Sequence, residues 1–270
     1  MVQVNGHAVH LQIVTPSPRP SGPTLVFESG LGDAGRTWDK VIAARPGGLP
    51  IVSYDRPGLG SSEDDRETPT PRHVVSVLHN ALQQVHAAPP YILIGHSFGA
   101  PRVRMFAAMY PSEVAGLVFV DPTDYSVSRD ENLRDVWARL GLGVKERDEF
   151  DRLTLEQMKD VPETIHRELD VALQAAQSDF GEFRQLPPLP DIPLVVLIAS
   201  QRPPAGMTAS FDLAAWFRLT VETRVTSLTR LAGAVRRSEV VVTSNPDHGL
   251  HRSDPALVVW AIERVIHLLP

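Results

Sequence analysis

The stretch Gly95-His96-Ser97-Phe98-Gly99 decides the fold of this chain. An apolar run at residues 91–94 precedes it and predicts a strand, and residues 98–110 have helical spacing up to a proline. A serine on a tight strand-to-helix turn presents its hydroxyl above the sheet, and the flanking glycines keep the crossing backbone clear. The pattern therefore predicts Ser97 as a nucleophile. Taken as five residues alone, it also fits a loop serine that caps a helix.

Strands and helices alternate on both sides of this turn. Further apolar runs that predict strands occupy residues 24–28, 51–54, 115–120, 194–199 and 240–243. Such alternation is typical of the α/β class, with a mainly parallel sheet and helices on both faces. The alternation stops at residues 130–183, which are charged, helical in pattern and without a strand. We therefore expect a core of residues 1–124 and 191–270 and a helical cap of residues 125–190.

A serine hydroxyl is a weak nucleophile near neutral pH and needs a neighbouring base. His248 lies in Asn245-Pro246-Asp247-His248-Gly249, after the last predicted strand and before the last predicted helix. The order nucleophile, acid, histidine along the chain accompanies this kind of turn. His248 is therefore the predicted base, and a surface-loop histidine is the alternative interpretation.

Four segments together resemble the α/β-hydrolase superfamily over nearly the whole chain. They are Phe27 to Gly32, Tyr54 to Ser61, the turn at 95–99 and the loop Asp247-His248-Gly249. The resemblance, to a serine-nucleophile, esterase- or lipase-like branch, implies an eight-stranded type of sheet with the cap inserted after the sixth strand. It also implies an oxyanion hole from the backbone amides of Leu31 and Phe98, and structural roles for Asp55 and Arg56.

The acid departs from the commonest pattern of this superfamily. Many relatives place it shortly after the strand that follows the cap, but here that strand leads into Ser200-Gln201-Arg202, with no carboxylate before Asp212. A minority place it at the end of the strand before the cap, which ends here at Asp121. We therefore expect Asp121 to be the acid, with Asp124 in reserve.

These residues predict a hydrolase that cleaves a carboxylic ester, thioester or lactone of a small to medium apolar substrate through an acyl-enzyme. No cofactor or metal is required for that chemistry. We expect the side chains of the cap, and that of Phe98 beside the nucleophile, to select the substrate. Apolar side chains are the candidates for the pocket wall: Phe98, Trp137, Phe150, Met158 and Phe180.

The composition of the chain indicates which kinds of partner and which cellular compartment to expect. The net charge is −6 and the chain has no basic stripe, which disfavours nucleic acid. The absence of cysteine excludes disulfides and thiolate metal sites. No run of about 20 apolar residues and no signal-peptide pattern is visible, so we expect a cytoplasmic protein without a membrane span, acting on a small ester-like molecule. The oligomeric state is left open.

Other functions fit part of the sequence. A carbon–carbon bond hydrolase or a cofactor-free perhydrolase would use the same three residues. Gly30-Leu31-Gly32-Asp33-Ala34-Gly35 matches G-x-G-x-x-G after a strand, with Asp55 ending the next strand, which is typical of an NAD(P)-binding oxidoreductase. A non-catalytic protein that binds a small ligand in the same fold is a further alternative, disfavoured by the presence of both serine and histidine.

Overall fold

The structure is a computed structural model that describes residues 1–17, 21–44, 48–156 and 159–270. Its centre is a seven-stranded sheet in the order β3-β5-β4-β6-β7-β8-β9. The strands are β3 (Leu11–Val14), β4 (Thr24–Glu28), β5 (Ile51–Tyr54), β6 (Tyr91–His96), β7 (Val114–Val120), β8 (Leu194–Ala199) and β9 (Ser238–Thr243). All neighbours are parallel except β3, which runs antiparallel to β5 at one edge.

The predicted α/β class and mainly parallel sheet are confirmed, with one difference at the N-terminus. The resemblance implies an eight-stranded type of sheet, but β1 (Val2–Val4) and β2 (His7–Val9) pair with each other as a separate hairpin. Asn5 and Gly6 both have positive φ at its turn, of 53° and 87°. An Asn-Gly pair favours this two-residue hairpin turn, so the first strands satisfy each other instead of extending the sheet to eight.

Helices cover both faces because the central strands bury both of their faces. Along β6, Tyr91 and Leu93 join the apolar cluster on one face, and Ile92 and Ile94 join the cluster on the other. This alternation has the two-residue period of a strand. Helices α2 (Pro71–Gln84), α3 (Gly99–Met109) and α8 (Leu213–Ala232) pack on the first face, and α1 (Asp39–Ala44) and α10 (Pro255–His267) on the second; a short helix α9 (Leu250–Ser253) precedes α10.

Four helices lie between β7 and β8, in the segment expected to form the cap. They are α4 (Arg129–Arg139), α5 (Val144–Glu156), α6 (Glu163–Gln177) and α7 (Gly181–Arg184). α4 packs against α8 through buried side chains that include Trp137 and Trp216. The side chain of Asp212 caps helix α8 by accepting from the Ala215 amide at 2.9 Å. None of the described helices combines the length and the apolar character that crossing a bilayer requires.

Candidate active site

Ser97 occupies the turn between β6 and α3 at the carboxyl edge of the sheet. Its φ is +51°, a left-handed conformation that non-glycine residues rarely adopt and that costs on the order of 1–2 kcal/mol. The surrounding backbone holds it there: its amide donates to the Val120 carbonyl at 3.1 Å, and its carbonyl accepts from the Thr123 amide at 3.1 Å. Ser97 is partly exposed between buried neighbours, so its side chain is open to solvent.

A cavity of about 560 Å³ opens beside Ser97. His248 also borders it, delivered by the loop that follows β9. The wall is mixed in chemistry, and its other members are Pro122, Thr123, Gln201, Arg202, Pro204, Phe217, Arg224, Pro246 and Asp247. The sequence-predicted nucleophile and base are thus brought to one cavity, although they are 151 positions apart.

His248 is held from two sides. Its Nδ1 lies 2.6 Å from Asp121 Oδ2, and its backbone carbonyl accepts from His96 Nε2 at 3.0 Å. Its side chain is 47% exposed, whereas that of Asp121 is fully buried. An Nδ1–H that donates to a carboxylate leaves Nε2 as the lone-pair nitrogen, which is the tautomer a general base needs.

Asp121 lies at the end of β7 and has a positive φ of 41°. Ala199 N and Arg224 Nη2 donate to its Oδ1 at 3.0 and 2.9 Å, and Gln201 Nε2 donates to its Oδ2 at 2.6 Å. Burial by itself would raise the pKa of this carboxyl, but the Arg224 guanidinium, followed by the hydrogen bond from His248, holds the pKa well below its usual range. Asp121 is therefore ionised at neutral pH.

The reserve acid has other partners. The Asp124 carboxylate accepts from the Ser126 amide at 3.0 Å and from the Ser126 hydroxyl at 2.6 Å, and it also accepts from the Ser227 hydroxyl. Among the contacts of the described residues, His248 is bonded to Asp121 and not to Asp124.

Sequence reasoning missed Gln201 and Arg224. Gln201 follows β8, where many relatives carry the acid, and its side-chain amide lies 3.3 Å from His248 Nδ1. Arg224 falls three and four residues before the buried Ser227 and Leu228 of α8. An arginine on the buried face of a helix signals a buried ion pair, and this signal was available in the sequence.

The amides expected to bind the oxyanion belong to Leu31 and Phe98. Phe98 is the residue before α3, and its N–H has no acceptor in the described part of the chain. The same holds for the Leu31 N–H within those ranges. The loop carrying Leu31 lies against the nucleophile: a Cβ placed on Gly30 would be 3.2 Å from Ser97 Cβ and 2.8 Å from His96 Nδ1. Only glycine permits this approach.

The apolar side chains expected on the pocket wall lie elsewhere. The Phe98 ring is buried against Phe183, with ring centroids 5.9 Å apart. Phe180 belongs to the same core. Trp137 of α4 and Phe150 of α5 pack edge-to-face on each other, and both rings also contact Trp216 of α8. Met158 lies outside the described residues. Because the helical pattern does not show which partner covers an apolar face, these residues could not be placed from sequence.

Asp33, His96 and His251 place one possible ligand atom each within 4.8 Å of one another. They do not fit a metal well. Asp33 is already paired with the Arg252 guanidinium at 3.3 Å, and the Gly30 backbone packs on His96 Nδ1. The Nε2 atoms of both imidazoles already have partners, because His96 Nε2 donates to the His248 carbonyl at 3.0 Å and His251 Nε2 lies 2.8 Å from Thr37 Oγ1.

This chain resembles known proteins in sequence and in fold. The sequence profile of the alpha/beta hydrolase family matches residues 25–261. The chain belongs to that family. This α/β-hydrolase is 34% identical over 119 residues to an uncharacterised protein, YqjL, of Bacillus subtilis, and the match covers 44% of this chain and 46% of YqjL. It is 33% identical over 104 residues to the lipase LipV of Mycobacterium tuberculosis, covering 38% of this chain and 39% of LipV. The matched stretch thus spans less than half of either relative.

A solved structure of a putative lipase from Acinetobacter baumannii superimposes on this α/β-hydrolase with a TM-score of 0.64. The superposition covers 98% of this chain and 89% of the other at 16% sequence identity, which shows a common fold. The loop at residues 30–35 matches the dinucleotide fingerprint in sequence only. Among the residues that the structure describes, it leads into a four-residue 3-10 turn, Gly35–Trp38, and then into the six-residue helix α1, whereas a dinucleotide-binding loop leads directly into the N-terminus of the helix that receives the pyrophosphate.

Proposed function

We propose that this chain is a serine hydrolase that cleaves the carboxylic ester, thioester or lactone bond of a small to medium substrate. The observation that carries the proposal is the placement of His248, with Nδ1 on the buried Asp121 carboxylate at 2.6 Å and its ring at the cavity that Ser97 borders. The name of one relative, a lipase, agrees with ester chemistry. Because the wall includes Arg202 and Arg224 beside Phe217 and three prolines, a substrate with both polar and apolar groups fits it better than a purely apolar one.

The first half-reaction transfers the acyl group to the enzyme. Ser97 Oγ attacks the carbonyl carbon while His248 Nε2 takes the hydroxyl proton, and the Asp121 carboxylate stabilises the imidazolium. The Leu31 and Phe98 amides bind the oxyanion of the tetrahedral intermediate; one such donor is worth about 3–4 kcal/mol in a comparable site. The intermediate collapses, the bond to the leaving oxygen or sulfur breaks, and His248 returns the proton to that leaving group.

The second half-reaction releases the acid. His248 takes a proton from water, whose oxygen attacks the acyl carbon, and the collapse of the second intermediate returns the proton to Ser97 Oγ. In both half-reactions the imidazole of His248 must be neutral in order to accept the proton.

Labelling with a fluorophosphonate tests this function. The wild type should form a stable phosphonyl adduct on Ser97 with loss of fluoride, and Ser97→Ala should not be labelled. On a p-nitrophenyl ester, Ser97→Ala and His248→Ala should each lose activity by about 10⁴-fold or more. Labelling that persists in Ser97→Ala would show that another residue is the nucleophile. A wild type that is neither labelled nor hydrolytic would contradict the proposal.

A further inference from the structure

A buried cluster of four charges lies beneath the loop at residues 29–33, and the proposed acyl transfer does not use it directly. Glu28 and Glu168 supply two negative charges, and Arg56 and Arg102 supply two positive charges. All four side chains are at most 3% exposed. Arg56 contacts both acids, at 3.1 Å from Glu28 and 2.5 Å from Glu168. Burying charges costs free energy unless they are paired, so this cluster holds its members in fixed positions.

Arg56 binds the loop through its backbone carbonyls. Its guanidinium donates to the carbonyls of Ser29 at 2.9 Å, Gly30 at 2.6 Å and Asp33 at 3.3 Å. A trans peptide is planar, and its C=O and N–H point in opposite directions. The bond from Arg56 to the Gly30 carbonyl therefore turns the Leu31 N–H, which belongs to the same peptide, away from Arg56.

Glu168 binds the same loop from helix α6. Its Oε2 accepts from the Gly32 amide at 2.9 Å and from Arg56 Nη2 at 3.0 Å. The peptide that follows Leu31 is thus fixed as well, by a side chain from the segment between β7 and β8. Ser97 lies against Gly30, so the orientation of this loop determines what donor faces the nucleophile.

We infer that Arg56 and Glu168 are positioning residues that fix the Leu31 amide as an oxyanion donor, so that helix α6 completes the hydrolytic site. The inference rests on the proposed function for its chemical consequence. The physical reason is that an oxyanion donor is effective only if it is held in place before charge develops. The cluster performs this task without contacting the substrate.

Two substitutions on neighbouring residues of α6 test the inference. Glu168→Gln keeps the shape of the side chain and removes its charge, which weakens both the Arg56 contact and the Gly32 contact. Arg167→Gln is the matched control. Arg167 joins the same helix to the loop after β5, where its guanidinium donates to Asp64 at 2.6 Å, and it does not touch residues 29–33. On a p-nitrophenyl ester, we expect Glu168→Gln to lower kcat by about 10- to 100-fold with KM changed less than about threefold. Arg167→Gln should keep both constants within about threefold.

Hydrogen exchange gives a readout that does not depend on activity. The Gly32 amide should exchange at least about tenfold faster in Glu168→Gln than in the wild type, and at the wild-type rate in Arg167→Gln. Unchanged exchange or an unchanged kcat in Glu168→Gln would overturn the inference. If Glu168→Gln does not fold, Arg56→Lys replaces it. Lysine keeps the cation but has only three N–H donors, too few for the three carbonyls and two carboxylates that Arg56 contacts, so the same changes are expected. An inactive wild type would contradict the proposed function, and the exchange comparison would still decide whether Arg56 and Glu168 hold the loop.

Discussion

At the scale of single residues, the environment of Asp121 differs from a simple acid–histidine pair. The carboxylate receives four hydrogen bonds, from Ala199, Gln201, Arg224 and His248. A buried carboxylate with this many donors stays ionised and cannot rotate freely. The imidazole it binds is consequently fixed in orientation as well as in tautomer.

The acid assignment makes a first prediction. Asp121→Asn should lower kcat on an ester by roughly 10³–10⁴-fold, because the amide can no longer hold His248 in the required tautomer. Asp124→Asn should change kcat by less than about threefold, because the described partners of Asp124 are Ser126 and Ser227. Steady-state kinetics on purified variants would check this. Near-full activity in Asp121→Asn would exclude Asp121 as the acid.

Gln201 offers a rescue experiment on the same pair. Its side-chain amide lies 3.3 Å from His248 Nδ1 and 2.6 Å from Asp121 Oδ2. Adding Gln201→Glu to Asp121→Asn should recover at least about tenfold of the lost kcat, because the new carboxylate can accept from His248 Nδ1. Gln201→Glu in the wild-type background is the control; it should slow the enzyme, since two carboxylates would then compete for one imidazole. Absence of recovery would mean that the position of the acid, and not only its charge, is decisive.

At the scale of elements, the crossing of β6 and α3 determines how Ser97 is presented. A Cβ on Gly95 would lie 2.6 Å from the Gly99 carbonyl oxygen and 2.7 Å from Ala100 Cα. Both are backbone atoms of the next turn, so a side chain at Gly95 forces the strand and the helix apart.

Gly95→Ala is therefore expected to destabilise the protein by about 1–3 kcal/mol and to reduce ester hydrolysis by displacing Ser97. Denaturant unfolding and kcat measurements would check both effects. Gly181→Ala, at the start of α7, is the matched control, because no described atom lies within 4 Å of the position that the added methyl group would take, and α7 tolerates alanine. Its stability should be unchanged or slightly higher. Equal stability of the two variants would refute a tight crossing at Gly95.

At the scale of the whole molecule, the cluster of Glu28, Arg56, Arg102 and Glu168 joins α6 to the sheet and makes stability depend on pH. Burial alone would raise the pKa of Glu168, but Arg56, and then Arg102, outweigh it and lower the pKa to about 2 from an ordinary 4.5. As the pH falls below 4.5, the carboxylate of Glu168 is protonated in the unfolded chain at a higher pH than in the folded chain. The ionised Glu168 carboxylate therefore contributes its full share to the free energy of unfolding above about pH 4.5, and this share is lost as the pH falls toward about 2.

We expect the free energy of unfolding to lose on the order of 3 kcal/mol from this group across that interval. Denaturant titrations of the wild type and of Glu168→Gln between pH 7 and pH 2 would measure it. Asp121 also has a lowered pKa and titrates in the same direction, so the difference between the two proteins isolates the Glu168 contribution. A constant difference over the whole interval would contradict the linkage.

The sequence by itself determined the α/β class, the turn that presents Ser97, and the loop that carries His248. These features are encoded locally: apolar runs, turn glycines and chain order are visible within a few residues of each position. The sequence also predicts the acid at the end of β7, by resemblance to a minority pattern of the superfamily.

Only the tertiary structure decided which residues surround that site. The contacts of Asp121 with His248 and Arg224, and of Arg56 with Glu168, join positions 127, 103 and 112 residues apart. The same holds for the aromatic side chains expected on the pocket wall, which pack in the core or in the cluster formed by α4, α5 and α8 instead. The physical reason is that periodicity shows which face of an element is apolar but not which distant element covers it. Ion pairs and pocket walls therefore become visible only when the sheet and the inserted helices are packed together.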